Sequence, residues 1–247
     1  ELQSNLDIAI YQARRPKDRL LVIIKFLVLD EPSLENITKF KQEYELTKNL
    51  DIAELLTPIA LESQRNNLIL IYENFDCIFL SELIKNRAIS FSGFLTISLQ
   101  LVSALEKLHE NHIIHKDIQP RNILINPNSQ QIRITNLGTA SLLSKENPSI
   151  SNPKCLEGTL AYLSPEQTGR MNRAIDYRTD FYSLGVTFYE MLTGQLPFLS
   201  KDPMELVHCH IARVPIPPHQ LNPAVPHYLR SLTVNMAYSF VRVGIRI

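Results

Sequence analysis

His115-Lys116-Asp117-Ile118-Gln119-Pro120-Arg121-Asn122 is the stretch on which the reading of this chain turns. It lies between two recognisable local patterns. Upstream, Phe94, Ile97, Leu101, Leu105 and Leu108 recur at i, i+3/i+4 spacing, which predicts an amphipathic helix capped by Ser90 or Ser92. Downstream, Ile123-Leu124-Ile125, a Pro127-Asn128-Ser129 turn and Ile132-Arg133-Ile134 predict a small hairpin. A loop with an Asp and an Asn five residues apart, held between a helix and a hairpin, has the residue types to accept a proton and to offer an amide oxygen.

Outward from there the order continues. The hairpin runs into Thr135-Asn136-Leu137-Gly138, and residues 139–165 are rich in Ser, Asn and Pro without periodicity, which predicts a long loop. That loop closes on Gly158-Thr159-Leu160-Ala161-Tyr162-Leu163-Ser164-Pro165-Glu166. Residues 180–192, DFYSLGVTFYEML, are apolar almost all round and predict a buried helix, and Pro215 to Pro226 form a broken connector. Toward the N-terminus, Leu20–Phe26 predicts a strand, and residues 35–50 a helix with Ile37, Phe40, Tyr44 and Leu50 on one face. Leu55–Leu61 and Leu68–Tyr72 predict a hairpin.

Composition narrows the function classes. The 247 residues are 45% hydrophobic and 20% charged, with 25 Lys+Arg against 25 Asp+Glu. This balance argues against a nucleic-acid partner. The longest apolar stretch, Leu20 to Leu29, is interrupted by Lys25 and is half the length of a membrane crossing. Three separated cysteines argue against a disulfide framework or a zinc site and fit a cytoplasmic protein. His208-Cys209-His210 reads as helix residues of alternating exposure rather than a metal cluster. Only seven glycines occur, none before Gly93 and no two closer than nine residues, so no Walker loop or dinucleotide fingerprint exists.

The ordered motifs resemble the C-lobe of the eukaryotic-type Ser/Thr protein kinases: catalytic loop, metal-binding Asp-Phe-Gly, activation segment and buried anchoring helix. The wording from Leu156 to Phe198 is similar to the N-terminal kinase domain of large bacterial multi-sensor kinases, in which ATPase-like, sensor and histidine kinase modules follow. The resemblance implies a bilobal α+β fold, with a small β-rich N-lobe over about 1–73, a hinge at 73–76 and a larger, mostly helical C-lobe over about 77–232. It implies ATP and Mg²⁺ as cofactors and a protein Ser or Thr as substrate. Asp117 then accepts the hydroxyl proton, and Gln119 stands near the transferring phosphate. Lys25, paired with Glu43 (Glu45 being the competing candidate), neutralises phosphate charge. Ile10, Ile23 and Leu124 enclose the adenine, main-chain groups near Glu73 and Phe75 bind its edge, and Tyr72 is the gatekeeper. Asn122 and Asn136 hold metal.

Taken singly, these residues have blander readings. A lysine in an apolar strand is usually a snorkelling edge residue, and an aspartate in a loop is usually a turn former. The sequence also departs from the family pattern. Asn136 replaces the metal-binding carboxylate, and Gln119 replaces a lysine. Gln3, Asn5 and Ile8 stand where three glycines belong, Ile23 replaces a small alanine, and Lys116 replaces an arginine. These changes lead to the expectation of a kinase with weakened transfer, with a pseudokinase (a regulatory or scaffold module) as the alternative. Residues 233–247 lose kinase character, which suggests a truncated or out-of-frame tail.

Overall fold

The computed structural model describes residues 3–4, 8–15, 19–28, 32–64, 67–143, 159–170 and 174–226. Asn5, Gly158 and the 233–247 tail lie outside them.

The N-terminal lobe is a five-stranded antiparallel sheet: β1 (Gln3–Ser4), β2 (Ile8–Arg14), β3 (Leu21–Leu27), β4 (Pro58–Gln64) and β5 (Asn67–Glu73), in the order β1-β2-β3-β5-β4. One helix, α1 (Leu34–Thr47), is inserted between β3 and β4. Strand period decides what β3 buries: Ile23, Lys25 and Leu27 share its inner face. Helix period does the same for α1, whose buried residues Phe40, Glu43 and Thr47 lie at i, i+3 and i+7. Ser33 caps α1 by accepting from the Asn36 N–H. The helix stops at Thr47, so Leu50 falls in the following turn rather than on the helix as its spacing predicts.

β4 begins at Pro58 rather than Leu55. The residues before it cross to the other lobe, where Ile134 N–H donates to Glu54 O at 2.7 Å and Leu56 N–H to Ile134 O at 2.9 Å. Lys107 adds an ion pair to Glu54 at 2.7 Å. Leu55 and Leu56 are apolar because they plug this joint, not because they continue a strand.

The C-terminal lobe is mostly helical. It starts with β6 (Ile78–Phe79), α2 (Leu80–Lys85) and α3 (Phe91–Glu110), followed by β7 (Ile113–Ile114), β8 (Ile123–Ile125), β9 (Ile132–Ile134) and β10 (Ser141–Leu142). β6-β8-β9 form one small sheet and β10-β7 another. Then come α4 (Arg178–Thr193), α5 (Pro203–Ala212) and α6 (Pro218–Leu221). Ser90 caps α3, and its predicted apolar stripe is wholly buried, each side chain contributing about 1.5–3 kcal/mol. α4 is buried on nearly all sides and ends at Gly194, whose φ of +71° suits glycine. The bilobal α+β arrangement matches the fold expected from sequence.

Candidate active site

Strand β3 delivers Lys25 into the space between the lobes, where it is only 2% exposed. Its ammonium donates to Glu43 Oε2 at 2.6 Å and to Asn136 Oδ1 at 3.0 Å, and lies 5.4 Å from the Phe40 ring centroid. Glu45 points away and pairs with Lys48. Tyr72, opposite Ile23 in the β3–β5 register, donates its hydroxyl to Glu43 Oε1 at 2.8 Å. Burial first, then the Glu43 charge, pushes the Tyr72 phenol well above its ordinary range. Both oxygens of Glu43 are therefore satisfied, which is what a buried carboxylate requires.

Asp180 of α4 holds the segment 115–117 from below. It accepts the main-chain N–H groups of His115 at 2.9 Å and Lys116 at 2.8 Å, and meets His109 Nε2 at 2.9 Å. Asp117 N–H donates to His115 Nδ1 at 3.2 Å, so the ring proton is on Nε2, which faces Thr135 O at 3.1 Å. Lys116 adopts φ +68°, turning the chain sharply.

Asp117 accepts three donors. Asn122 Nδ2 reaches Oδ2 at 2.8 Å, while Gln119 Nε2 at 2.9 Å and Thr159 N–H at 3.0 Å reach Oδ1. A carboxylate has about four acceptor positions, so among the described residues one stays open to a hydroxyl. Gln119 spends its amide on Asp117 and on the Thr159 hydroxyl, rather than projecting alone toward a phosphate.

Asn136 sits two residues beyond β9 in the left-handed region, φ +69°. Because Lys25 can only donate, Asn136 Oδ1 must face it. Asn136 Nδ2 then faces Asn122 Oδ1 and donates to it at 3.3 Å. The result is a continuous polar chain, Lys25–Asn136–Asn122–Asp117. Gly138 follows under α1, where an added Cβ would stand 3.1 Å from both Lys39 Cβ and Lys39 O, so a side chain here would press on α1.

Two cavities meet here. A cavity of about 50 Å³ is lined by Ile8, Ile10, Lys25, Arg121, Asn122, Thr135 and Asn136. A cleft of about 920 Å³ shares Arg121, Asn122 and Asn136 with it and continues over Asp117, Gln119, Thr159, Tyr162 and Glu190. Tyr162 donates to Glu190, whose carboxyl is pushed up by burial.

The expected adenine-facing side chains are also brought together. Ile10, Ile23, Tyr72 and Leu124 share one apolar cluster, with Phe75 packed against it. Arg133 stacks on the Phe75 ring, its guanidinium carbon 4.9 Å from the centroid. Among the described residues, no hydrogen bond reaches the main-chain groups of Asn74 or Phe75. Ile23, Tyr72 and Leu124 are fully buried in that cluster, while Glu73, Asn74 and Phe75 line a separate cavity of about 600 Å³ with Tyr44, Leu56 and Arg133. Mg²⁺ is held chiefly through carboxylates, whereas here Asn122 Oδ1 already accepts from Asn136. Among the described residues the small cavity has no carboxylate in its lining, and Glu82, Asp117 and Glu190 line only the adjoining cleft. The described residues of the small cavity do not fit a resident Mg²⁺.

The family model for the protein kinase domain matches residues 9–235. The chain belongs to that family. Among the similar relatives of this kinase domain is a probable serine/threonine-protein kinase of Clostridium perfringens, 31% identical over 90% of this chain and 32% of the relative. The serine/threonine-protein kinase PrkC of Bacillus subtilis is 30% identical over 85% of the chain and 32% of its own length. PknB of Mycolicibacterium smegmatis is 37% identical over 47% of the chain and 18% of its own length. The chain thus spans about a third or less of these curated relatives. The kinase domain is of the eukaryotic Ser/Thr type. Among the described residues no helix is long and apolar enough to cross a membrane.

The structure adds Asp180, Thr159 and Arg121 to the residues named from the sequence. Thr159 and Arg121 carry no local pattern that marks them; Arg121 declares itself only as a cation beside Asn122.

Proposed function

We propose that this kinase domain binds ATP between its lobes and passes the terminal phosphoryl group to a protein Ser or Thr at a weakened rate. The observation that carries the reading is the connected set in which Lys25, held by Glu43, is joined through Asn136 to Asn122 and from there to Asp117, each link a hydrogen bond. In this reading Asp117 accepts the substrate hydroxyl proton through its open acceptor position. Asn122 and Gln119 hold that carboxylate in place, and Lys25, fixed by Glu43, faces phosphate. Positioning of this kind is most of what phosphoryl transfer asks of a protein. The weakening comes from Asn136, which brings an amide where the family pattern has a carboxylate.

The same Asn136–Asn122 hydrogen bond favours a second reading, a pseudokinase that keeps the fold and the nucleotide but acts as a regulatory module. A transfer assay on a general Ser/Thr protein substrate separates the two. Transfer by the wild type that disappears in Asp117→Ala supports the kinase reading, and no transfer above the Asp117→Ala background supports the pseudokinase.

We place the domain over 1–247, with the hinge at 73–76, as one module of a longer cytoplasmic signalling protein. ATPase-like, sensor and histidine kinase modules are the expected companions. The support is the similarity in wording between Leu156 and Phe198, together with relatives three times this length.

A further inference from the structure

We infer that this domain takes the polyphosphate of its nucleotide without a divalent cation, Lys25 and Arg121 supplying the charge that a metal would otherwise bring. The inference rests on the nucleotide-binding reading above and concerns how that site is neutralised.

Three observations lead to it. First, the two amides that stand at the metal positions complement one another. Lys25 fixes the Asn136 oxygen, which leaves the Asn136 N–H₂ group aimed at Asn122 Oδ1 at 3.3 Å. With a carboxylate at position 136, two acceptor oxygens would face each other and call for a cation between them. With the amide, the pair is satisfied as it stands.

Second, the charge lining the small cavity is positive. Among the described residues its charged ones are Lys25 and Arg121, and no carboxylate lines it; Glu82, Asp117 and Glu190 line only the larger cleft. Glu43 neutralises Lys25 from behind, but Arg121 has no hydrogen-bond or ion-pair partner among the described residues; Glu190, across the larger cleft, attracts it only at longer range. A cavity lined by cations and amide groups attracts an anion and repels a dication.

Third, Arg121 is placed where the two cavities join. It sits on the single 3₁₀ turn Pro120–Asn122, directly before Asn122, and it is exposed. It lines both the small cavity and the large cleft. Gln119 is committed to Asp117 and Thr159, so the cation that the family pattern puts at 119 is available two residues later instead. A guanidinium presents paired donors that match phosphate oxygens.

The test is a fluorescence titration of the chain with ATP, and separately with adenosine, in EDTA and in Mg²⁺. The ATP dissociation constant is expected to agree within about threefold between the two buffers, a difference under about 1 kcal/mol. Arg121→Ala should weaken ATP binding in EDTA about tenfold, equivalent to about 1.4 kcal/mol, and leave adenosine binding unchanged. Arg121→Lys should recover part of the loss. Asn136→Asp should bind ATP well only with Mg²⁺. Wild-type binding that requires Mg²⁺, or an Arg121→Ala variant that binds ATP as the wild type does, overturns the inference and leaves the nucleotide-binding reading intact. Failure of the folded protein to bind ATP in either buffer overturns both.

Discussion

The Tyr72 hydroxyl donates to Glu43 Oε1 at 2.8 Å while the Lys25 ammonium holds Glu43 Oε2 at 2.6 Å, so one buried carboxylate is shared between two neighbouring strands. Tyr72→Phe removes one of these donors and leaves a buried acceptor unpaired. The expected loss is about 1–3 kcal/mol of unfolding free energy, read from urea denaturation. An unchanged midpoint would mean that water or another donor replaces the phenol.

Lys25 and Glu43 make a buried ion pair with almost no exposure. Breaking it by Lys25→Met strands the Glu43 charge and should cost about 3–5 kcal/mol. Adding Glu43→Leu removes the stranded charge and should return most of that loss. The pair therefore serves the site more than the fold. A double variant as unstable as the single one would contradict this.

Asn136→Asp restores a carboxylate beside Lys25 and Asn122. In Mg²⁺ it should raise phosphoryl transfer about thirtyfold, corresponding to about 2 kcal/mol of barrier. The measurement is initial transfer rate at saturating ATP, with the Asp117→Ala background subtracted. A rate at or below the wild type would place the weakness elsewhere, with Gln119 or Ile8 the next candidates.

His210 of α5 is buried against Phe198, and its Nδ1 lies 2.7 Å from the Tyr182 hydroxyl. Burial draws its pKa from 6.5 down to about 4. The unfolded chain takes up this proton below about pH 6.5, and the folded chain only near pH 4. The His210 contribution to stability is therefore complete above pH 6.5 and is lost as the pH falls toward 4, at about 1 kcal/mol per pH unit. Denaturation midpoints of wild type and His210→Gln, compared between pH 7 and 4.5, should converge as the pH drops. Parallel curves would assign the acid sensitivity to other groups.

Much of this arrangement is legible in the linear chain because it depends on local periodicity. Lys25 stands out as a single charge in an apolar strand, and the period-two rule puts it on the same face as Ile23 and Leu27. Glu43 and Glu45 both stand open in the sequence, and the structure separates them by helix phase, since only Glu43 is buried on the face of Phe40 and Thr47. What is not legible depends on distant chain meeting in space. Asp180 reaches the main chain of residues 64 and 65 positions away, and Thr159 closes on Asp117 from 42 positions away. Leu55 and Leu56 read as strand because burial alone makes them apolar; their partner Ile134 belongs to the other lobe. Arg121 has no pattern at all, and only the meeting of two cavities singles it out.

Asn136 adopts φ +69° and ψ +49°, a backbone state that asparagine and aspartate both tolerate better than most residues. The main chain would thus accept either residue without rearrangement, and Gly138 and Lys25 already stand where an aspartate would need them. Asparagine and aspartate codons differ only in their first base. The amide at this position is accordingly a substitution that one transition reverses, and the domain holds its present chemistry by a genetic margin of a single nucleotide.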